Sequence, residues 1–157
     1  MILVLSQSGE KGKNKLLADD CIKLFHHIGF NSAHYKNFDD ENIQKYLKEA
    51  TTILMIVPEW NLSIPYTLKK AIDESGWPSS LENKNIGIIG TSGGHGGNIL
   101  GASHLSHILS YLKSDVHKQK VYIPYINNFD RLSKVAKDVS ELVVSLIDDL
   151  CSIDSNH

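Results

Sequence analysis

The sequence predicts an α/β fold: a three-layer sandwich around a five-stranded parallel sheet of order 2-1-3-4-5. Three observations predict it. Short apolar runs alternate with helix-length amphipathic stretches along all 157 residues, which is the pattern of right-handed β–α–β crossovers. No repeat, linker or low-complexity tract interrupts them, so a single domain is expected over 1–157. The loops after the first and third strands, where this strand order has its switch point and its ligand crevice, are also unusual in composition.

Residues 1–6 (M-I-L-V-L-S) form a continuous apolar strand, as expected where both faces of a parallel sheet are covered. A small, polar loop follows at 7–13. Residues 14–28 place Leu17, Cys21, Leu24, Phe25 and Ile28 on one helical stripe that stops at Gly29. Residues 30–36 read as a partly polar edge strand. Asp39 and Asp40 are expected to cap a helix to Ala50 with Ile43, Tyr46 and Leu47 inward. The apolar run 53–57 is a buried strand ending at Pro58. Glu59, Trp60 and Asn61 make a turn before Pro65 opens a helix, where its missing N–H costs least. Leu68, Ala71 and Ile72 face inward there. Residues 85–90 (N-I-G-I-I-G) are the fourth strand and about 98–113 the next helix. A short fifth strand is expected at 121–124 and a last helix at 132–150, with Val135, Val139, Leu142, Leu146 and Leu150 on one face. Five β–α units of this kind make a flavodoxin-like sheet.

Bulk composition excludes several classes. With 41% apolar and 22% charged residues and a net charge of −2, the chain has neither the basic footprint of a nucleic-acid binder nor the acidity of a protein that docks on basic partners. The start M-I-L-V-L is too short for a signal sequence or a membrane span. Cys21 and Cys151 lie in apolar helical patterns without C-x-x-C spacing and read as reduced core residues. A cytoplasmic protein with no membrane partner is expected.

Two loops carry chemistry. In S6-Q-S-G-E-K-G-K-N14, small residues and hydroxyls lead into a helix N-terminus, where backbone N–H groups and the helix dipole favour an anion. Lys11 and Lys13 suit a phosphate. The loop matches neither G-x-x-x-x-G-K-[ST] nor G-x-G-x-x-G, and a plain solvated turn is the alternative reading. In T91-S-G-G-H-G-G97, four glycines in seven residues cost much backbone entropy, which a close backbone approach to a heterocycle would justify. A mobile surface loop is the alternative. His95 has no partner at ligand spacing and is not expected to bind a metal. His104 and His107, spaced i, i+3, read as packing or interface residues, and His26-His27 as complements of a helix C-terminal dipole. No metal site or side-chain nucleophile is expected.

Laid side by side, these loops resemble those of the NADPH-dependent FMN reductase family, which includes quinone, azo-dye and chromate reductases. The family's P-E-Y-N-G-S-I-P and L-K-N-A-I-D are similar to P58-E-W-N-L-S-I-P65 and L68-K-K-A-I-D73 here, and its G-A-S-x-G-x-x-G-G to G90-T-S-G-G-H-G-G97. The segment Y111-L through V121-Y-I-P124 is similar to the family's approach to the fifth strand. The departures are Glu10 near the usual arginine of a shortened first loop, Trp60 for tyrosine, Leu62 for glycine, and a short connection at 37–39. The resemblance implies an FMN phosphate held by Ser6, Ser8, Lys11, Lys13 and Asn14. It implies that Pro58, Glu59, Trp60 and Asn61 meet the flavin ring from one loop, and that Thr91, Ser92, Gly93, Gly94, His95 and Gly96 meet its pyrimidine edge. It also implies hydride transfer from NADPH or NADH through FMN to a small-molecule electron acceptor, with ping-pong kinetics, in a homodimer or tetramer built on the helices after the third and fourth strands. Two other readings share the fold: a flavodoxin-type electron carrier, and a binding or regulatory module with a degraded flavin site.

Overall fold

Alternation in the strands builds three layers. The computed structural model describes residues 1–135 and 137–154. In β1 (Ile2–Ser6), Ile2 and Val4 face one helical layer while Leu3 and Leu5 face the other. β3 (Thr52–Pro58) repeats this, with Leu54 and Ile56 on the first face and Ile53, Met55 and Val57 on the second. With β2 (Ala33–Asn37), β4 (Asn85–Thr91) and β5 (Asp115–Ile123) they form one parallel sheet of order β2-β1-β3-β4-β5. Residues of α1 (Lys13–His27) and α5 (Lys137–Asp154) cover the first face. Those of α2 (Ile43–Glu49), α3 (Tyr66–Asp73) and α4 (Ile99–Tyr111) cover the second. The expected fold is the observed one.

Element boundaries differ from the sequence reading at four places, each for a physical reason. Phe30 does not begin β2. Its N–H bonds Phe25 O at 2.9 Å, that of Gly29 bonds His26 O at 3.1 Å, and Gly29 has φ +99°. Phe30 is thereby consumed in a Schellman cap of α1. Asp39 and Asp40 do not cap α2: Asp40 Oδ1 accepts from Asn42 N at 2.9 Å, a local Asx turn that delays the helix to Ile43. β5 begins at Asp115, six residues before the expected 121. It is an edge strand, so its Asp115–Lys120 half needs no apolar pattern, and a register shift opposite Ile86–Ile88 breaks its pairing with β4. The expected last helix is divided into a short 3-10 turn, Leu132–Lys134, and α5, while Ala136 lies outside the described residues.

Both cysteines are buried in the α1/α5 layer. Burial, with the Asp20 charge adding to it, pushes the Cys21 thiol well above its usual range and keeps it unreactive. Among the described residues no helix is long and apolar enough to cross a membrane.

Candidate functional site

Parallel pairing brings the carboxyl ends of β1, β3 and β4 to one edge, with Pro58 opposite Thr91. The β1–α1 loop turns tightly there. Gly12 N donates to Gly9 O at 2.8 Å and Ser8 N to Asn37 Oδ1 at 3.1 Å. A Cβ on Gly12, the N-cap of α1, would collide with Ser8 Oγ, so a larger residue here would have to displace the Ser8 hydroxyl. Gly12 supplies no side-chain cap, and the first-turn N–H groups of α1 are left to face the edge. Asn14 Oδ1 accepts from Thr91 Oγ1 at 2.8 Å, tying α1 to β4 and leaving the Asn14 amide nitrogen as the end available to an anion. Ser6 Oγ, fully buried, has no hydrogen-bond partner among the described residues. An orphaned hydroxyl beside free helix N–H groups fits a bound phosphate.

The charges around this loop are mixed. Glu10 and Lys11 are exposed and Lys13 is half-buried. Beyond the β5 exit, Asp130 is held below the usual carboxylate range, first by the hydrogen bond and charge of Lys134 and further by Arg131 and Lys13. A carboxylate that no sequence pattern flagged thus lies within electrostatic reach of Lys13.

After β3, Glu59 N donates to Thr91 O at 2.8 Å. Trp60 and Ser63 then exchange backbone hydrogen bonds of 3.1 and 3.0 Å, with Asn61 at φ +49° and Leu62 at φ +61°. Two successive left-handed residues define a type I′ turn, for which Asn-Gly is the favoured pair. Leucine in that position costs about 1–2 kcal/mol. The turn is braced twice: Ser63 Oγ lies 3.1 Å from His104 Nδ1 on α4, and the Trp60 ring meets Tyr66 edge-on at 6.0 Å. Trp60 stays 44% exposed, Leu62 64% and Tyr66 67%. Thr67 Oγ1 donates to Gln7 Oε1 at 2.7 Å and fixes α3 against the first loop.

The glycines after β4 divide into two kinds. Gly97 has φ +56°, and a Cβ there would lie 2.8 Å from Tyr122 Cβ; its role is close packing on β5. A Cβ on Gly90 would collide with Gly97 O. Gly94 is different, with open space around its hypothetical Cβ, and at Gly96 the nearest atom is Glu59 Oε2 at 3.9 Å. Gly96 thus lies beside Glu59, while Gly94 has open space around it. Ser92 is spent inside the loop: its Oγ donates to Gly94 O and accepts from Gly97 N, both at 2.9 Å. Tyr125 N also donates to Gly94 O at 2.9 Å. No acceptor among the described residues faces the N–H groups of Gly93, Gly94, His95 and Gly96, so four adjacent donors point at solvent or ligand.

The predicted residues thus converge on one edge, but they divide by task. Thr91 and Ser92 are buried and shape the loops, Pro58 is the half-buried last residue of β3, and His95 and Asn61 are exposed. Sequence reasoning missed Asn98. It is fully buried at φ +61°, donates from Nδ2 to Val57 O at 3.0 Å and accepts at Oδ1 from Gly101 N at 3.1 Å. The one available signal was an asparagine directly after a glycine pair and before an apolar helix. Leu105 and Leu109 are buried in the core layer beneath α4, with Ile108 and Leu112 packed against it. A groove of about 650 Å³ between α1, the Leu132–Lys134 turn and α5 carries none of the predicted residues.

Known proteins are similar to this chain in sequence or in fold. The chain is 36% identical over 72 residues to a 2-hydroxy-1,4-benzoquinone reductase from a Burkholderia species, a match covering 44% of this chain and 39% of that protein. The matched stretch is thus less than half the length of that relative. An oxidoreductase from Corynebacterium diphtheriae superposes with a TM-score of 0.80 at 14% identity, over 99% of this chain and 97% of the other. A flavodoxin from the domain Archaea superposes with a TM-score of 0.71 at 15% identity, over the whole of both chains. At these identities the two structures are similar in fold alone. A family model for NADPH-dependent FMN reductases matches residues 3–128, a span that includes all three loops of the edge. The chain belongs to the NADPH-dependent FMN reductase family.

Proposed function

We propose that this protein passes electrons from NADPH or NADH, through FMN bound at the β1–β3–β4 edge, to a small planar acceptor of the quinone or azo type. The observation that carries this reading is the run of four backbone N–H groups, at Gly93 to Gly96, with no acceptor among the described residues, on a loop whose Gly96 lies beside Glu59. In this reading the α1 N-terminus, the Ser6 and Ser8 hydroxyls, the Asn14 amide nitrogen and Lys11 and Lys13 hold the phosphate. The glycine loop meets the polar rim of the flavin ring. Bound FMN supplies the redox chemistry; the chain binds it, orients it and leaves one face free. Donor and acceptor share that face in turn, which is the origin of ping-pong kinetics. The Burkholderia relative is a reductase of a hydroxylated benzoquinone, which favours a quinone among the acceptors.

Association into a homodimer or tetramer is proposed through α3 and α4. Tyr66, Ile99, Leu100 and Tyr111 on these helices are exposed, an apolar set more typical of an interface than of free surface. A cytoplasmic setting, with neither nucleic acid nor membrane as partner, remains part of the proposal.

Trp60 decides between a reductase and an electron carrier. A carrier shields its ring with a stacked aromatic, whereas a reductase must let nicotinamide reach it within hydride distance. Trp60 rests against Tyr66 and borders the flavin site in this reading. Trp60→Ala is therefore expected to lower NADPH-to-quinone turnover several-fold more than it weakens FMN binding. Loss of about 1–3 kcal/mol of FMN affinity, the value of a stacked aromatic, with parent-like turnover would favour the carrier.

A further inference from the structure

The Trp60–Ser63 turn holds an apolar side chain at a backbone position that favours glycine. Leu62, at φ +61° and 64% exposed, occupies the second position of the type I′ turn. It makes none of the core contacts that could compensate, since both apolar clusters exclude it. The turn is not loose. Reciprocal Trp60–Ser63 backbone bonds and the Ser63–His104 contact fix it, so the leucine is held in place at the rim. Retained strain in a loop at the carboxyl edge of the sheet, where this fold binds its ligands, points to a ligand contact. The charges at the rim narrow the ligand. Glu59 reaches toward Gly96, while Lys69 and Lys70, the nearest lysines along the chain, pair with Asp73 and Glu74 one turn further on. An anionic acceptor at this turn would meet the Glu59 carboxylate; an uncharged ring would meet Trp60, Leu62 and Tyr66.

We propose that Leu62 is a specificity-determining residue, forming with Trp60 the apolar wall against which an uncharged aromatic quinone lies, and selecting such acceptors over hydrophilic anions. This rests on the flavin reading above. The overall reaction is NAD(P)H plus a proton plus quinone giving NAD(P)⁺ and hydroquinone: two electrons move as a hydride equivalent from the nucleotide, and water supplies the second proton.

The test compares the FMN-loaded parent with Leu62→Gly and Leu62→Met, using 1,4-naphthoquinone and ferricyanide as acceptors. Leu62→Gly relieves the backbone strain and is expected to fold at least as stably as the parent. Its ratio of kcat/KM for naphthoquinone to that for ferricyanide should fall by about tenfold, the scale of losing a few apolar groups from a pocket, chiefly through a higher naphthoquinone KM. Leu62→Met should keep the ratio within about twofold. An unchanged ratio in Leu62→Gly with parent-like FMN affinity overturns the proposal alone. Failure of the parent to bind FMN overturns both it and the reading on which it rests.

Discussion

Gly94→Val is expected to weaken FMN binding by about a hundredfold or more while leaving unfolding within about 1 kcal/mol of the parent. The two halves of that expectation come from one geometric fact. No atom lies within 4 Å of a Cβ built on Gly94, and its φ is not in the left-handed region, so the folded chain has room for the side chain. A flavin ring approaching the Gly93–Gly96 amides needs the same room. A branched side chain there would hold the ring off its donors and leave them unpaired, and both effects weaken binding. Gly97 supplies the contrast within the same loop. A methyl group there would press on Tyr122 and impose φ +56° on alanine, so Gly97→Ala should damage the fold before it damages the site. FMN fluorescence titration paired with urea unfolding separates the two. Equal FMN affinity in parent and Gly94→Val would remove the glycine loop from the binding site.

Asn98→Ala carries the largest expected loss of stability, about 2–4 kcal/mol. Asn98 is the N-cap of α4, and its amide joins two elements: Nδ2 donates to Val57 O at the end of β3, and Oδ1 accepts from Gly101 N in the first turn of the helix. Truncation orphans both backbone groups in a fully buried place, at about 1–3 kcal/mol each before relaxation. It also forces alanine to a left-handed conformation that asparagine tolerates better. Asn98→Gly keeps the backbone conformation and loses only the hydrogen bonds, so its loss should be smaller. The difference between the two midpoints in urea gives the backbone share. Equal loss in both variants would mean that the left-handed conformation costs alanine nothing here.

Much of this molecule was legible because burial leaves a pattern. β1, β3 and β4 are covered on both faces, so their runs are continuously apolar and their boundaries fall within a residue of the sequence reading. β5 was only half legible. Its Asp115–Lys120 stretch lies at the sheet edge, where His117 and the lysines can face water, and no apolar signal marks it. The start of β2 was obscured by a competing local structure, the Schellman cap that takes Phe30. The site loops announced themselves through composition: glycines, a tryptophan and small hydroxyls near helix starts. What each residue does was not legible, because the partners are distant in the chain. Thr67 meets Gln7 across 60 positions and Asn98 meets Val57 across 41. The division of the glycines into packing and open positions likewise depends on Tyr122, from a different strand. Asp130 entered the surroundings of Lys13 by the same route.

Whether the β1–β3–β4 edge holds a flavin that NAD(P)H can reduce is decided by one anaerobic titration. FMN is added to the flavin-free protein without oxygen, then NADPH or NADH, then naphthoquinone, and the flavin absorbance is followed throughout. One FMN bound per chain is expected, with loss of the oxidised-flavin absorbance on adding nucleotide and its return with the quinone. A protein that takes up no FMN, or whose bound FMN neither nucleotide reduces, would contradict this reading of the edge.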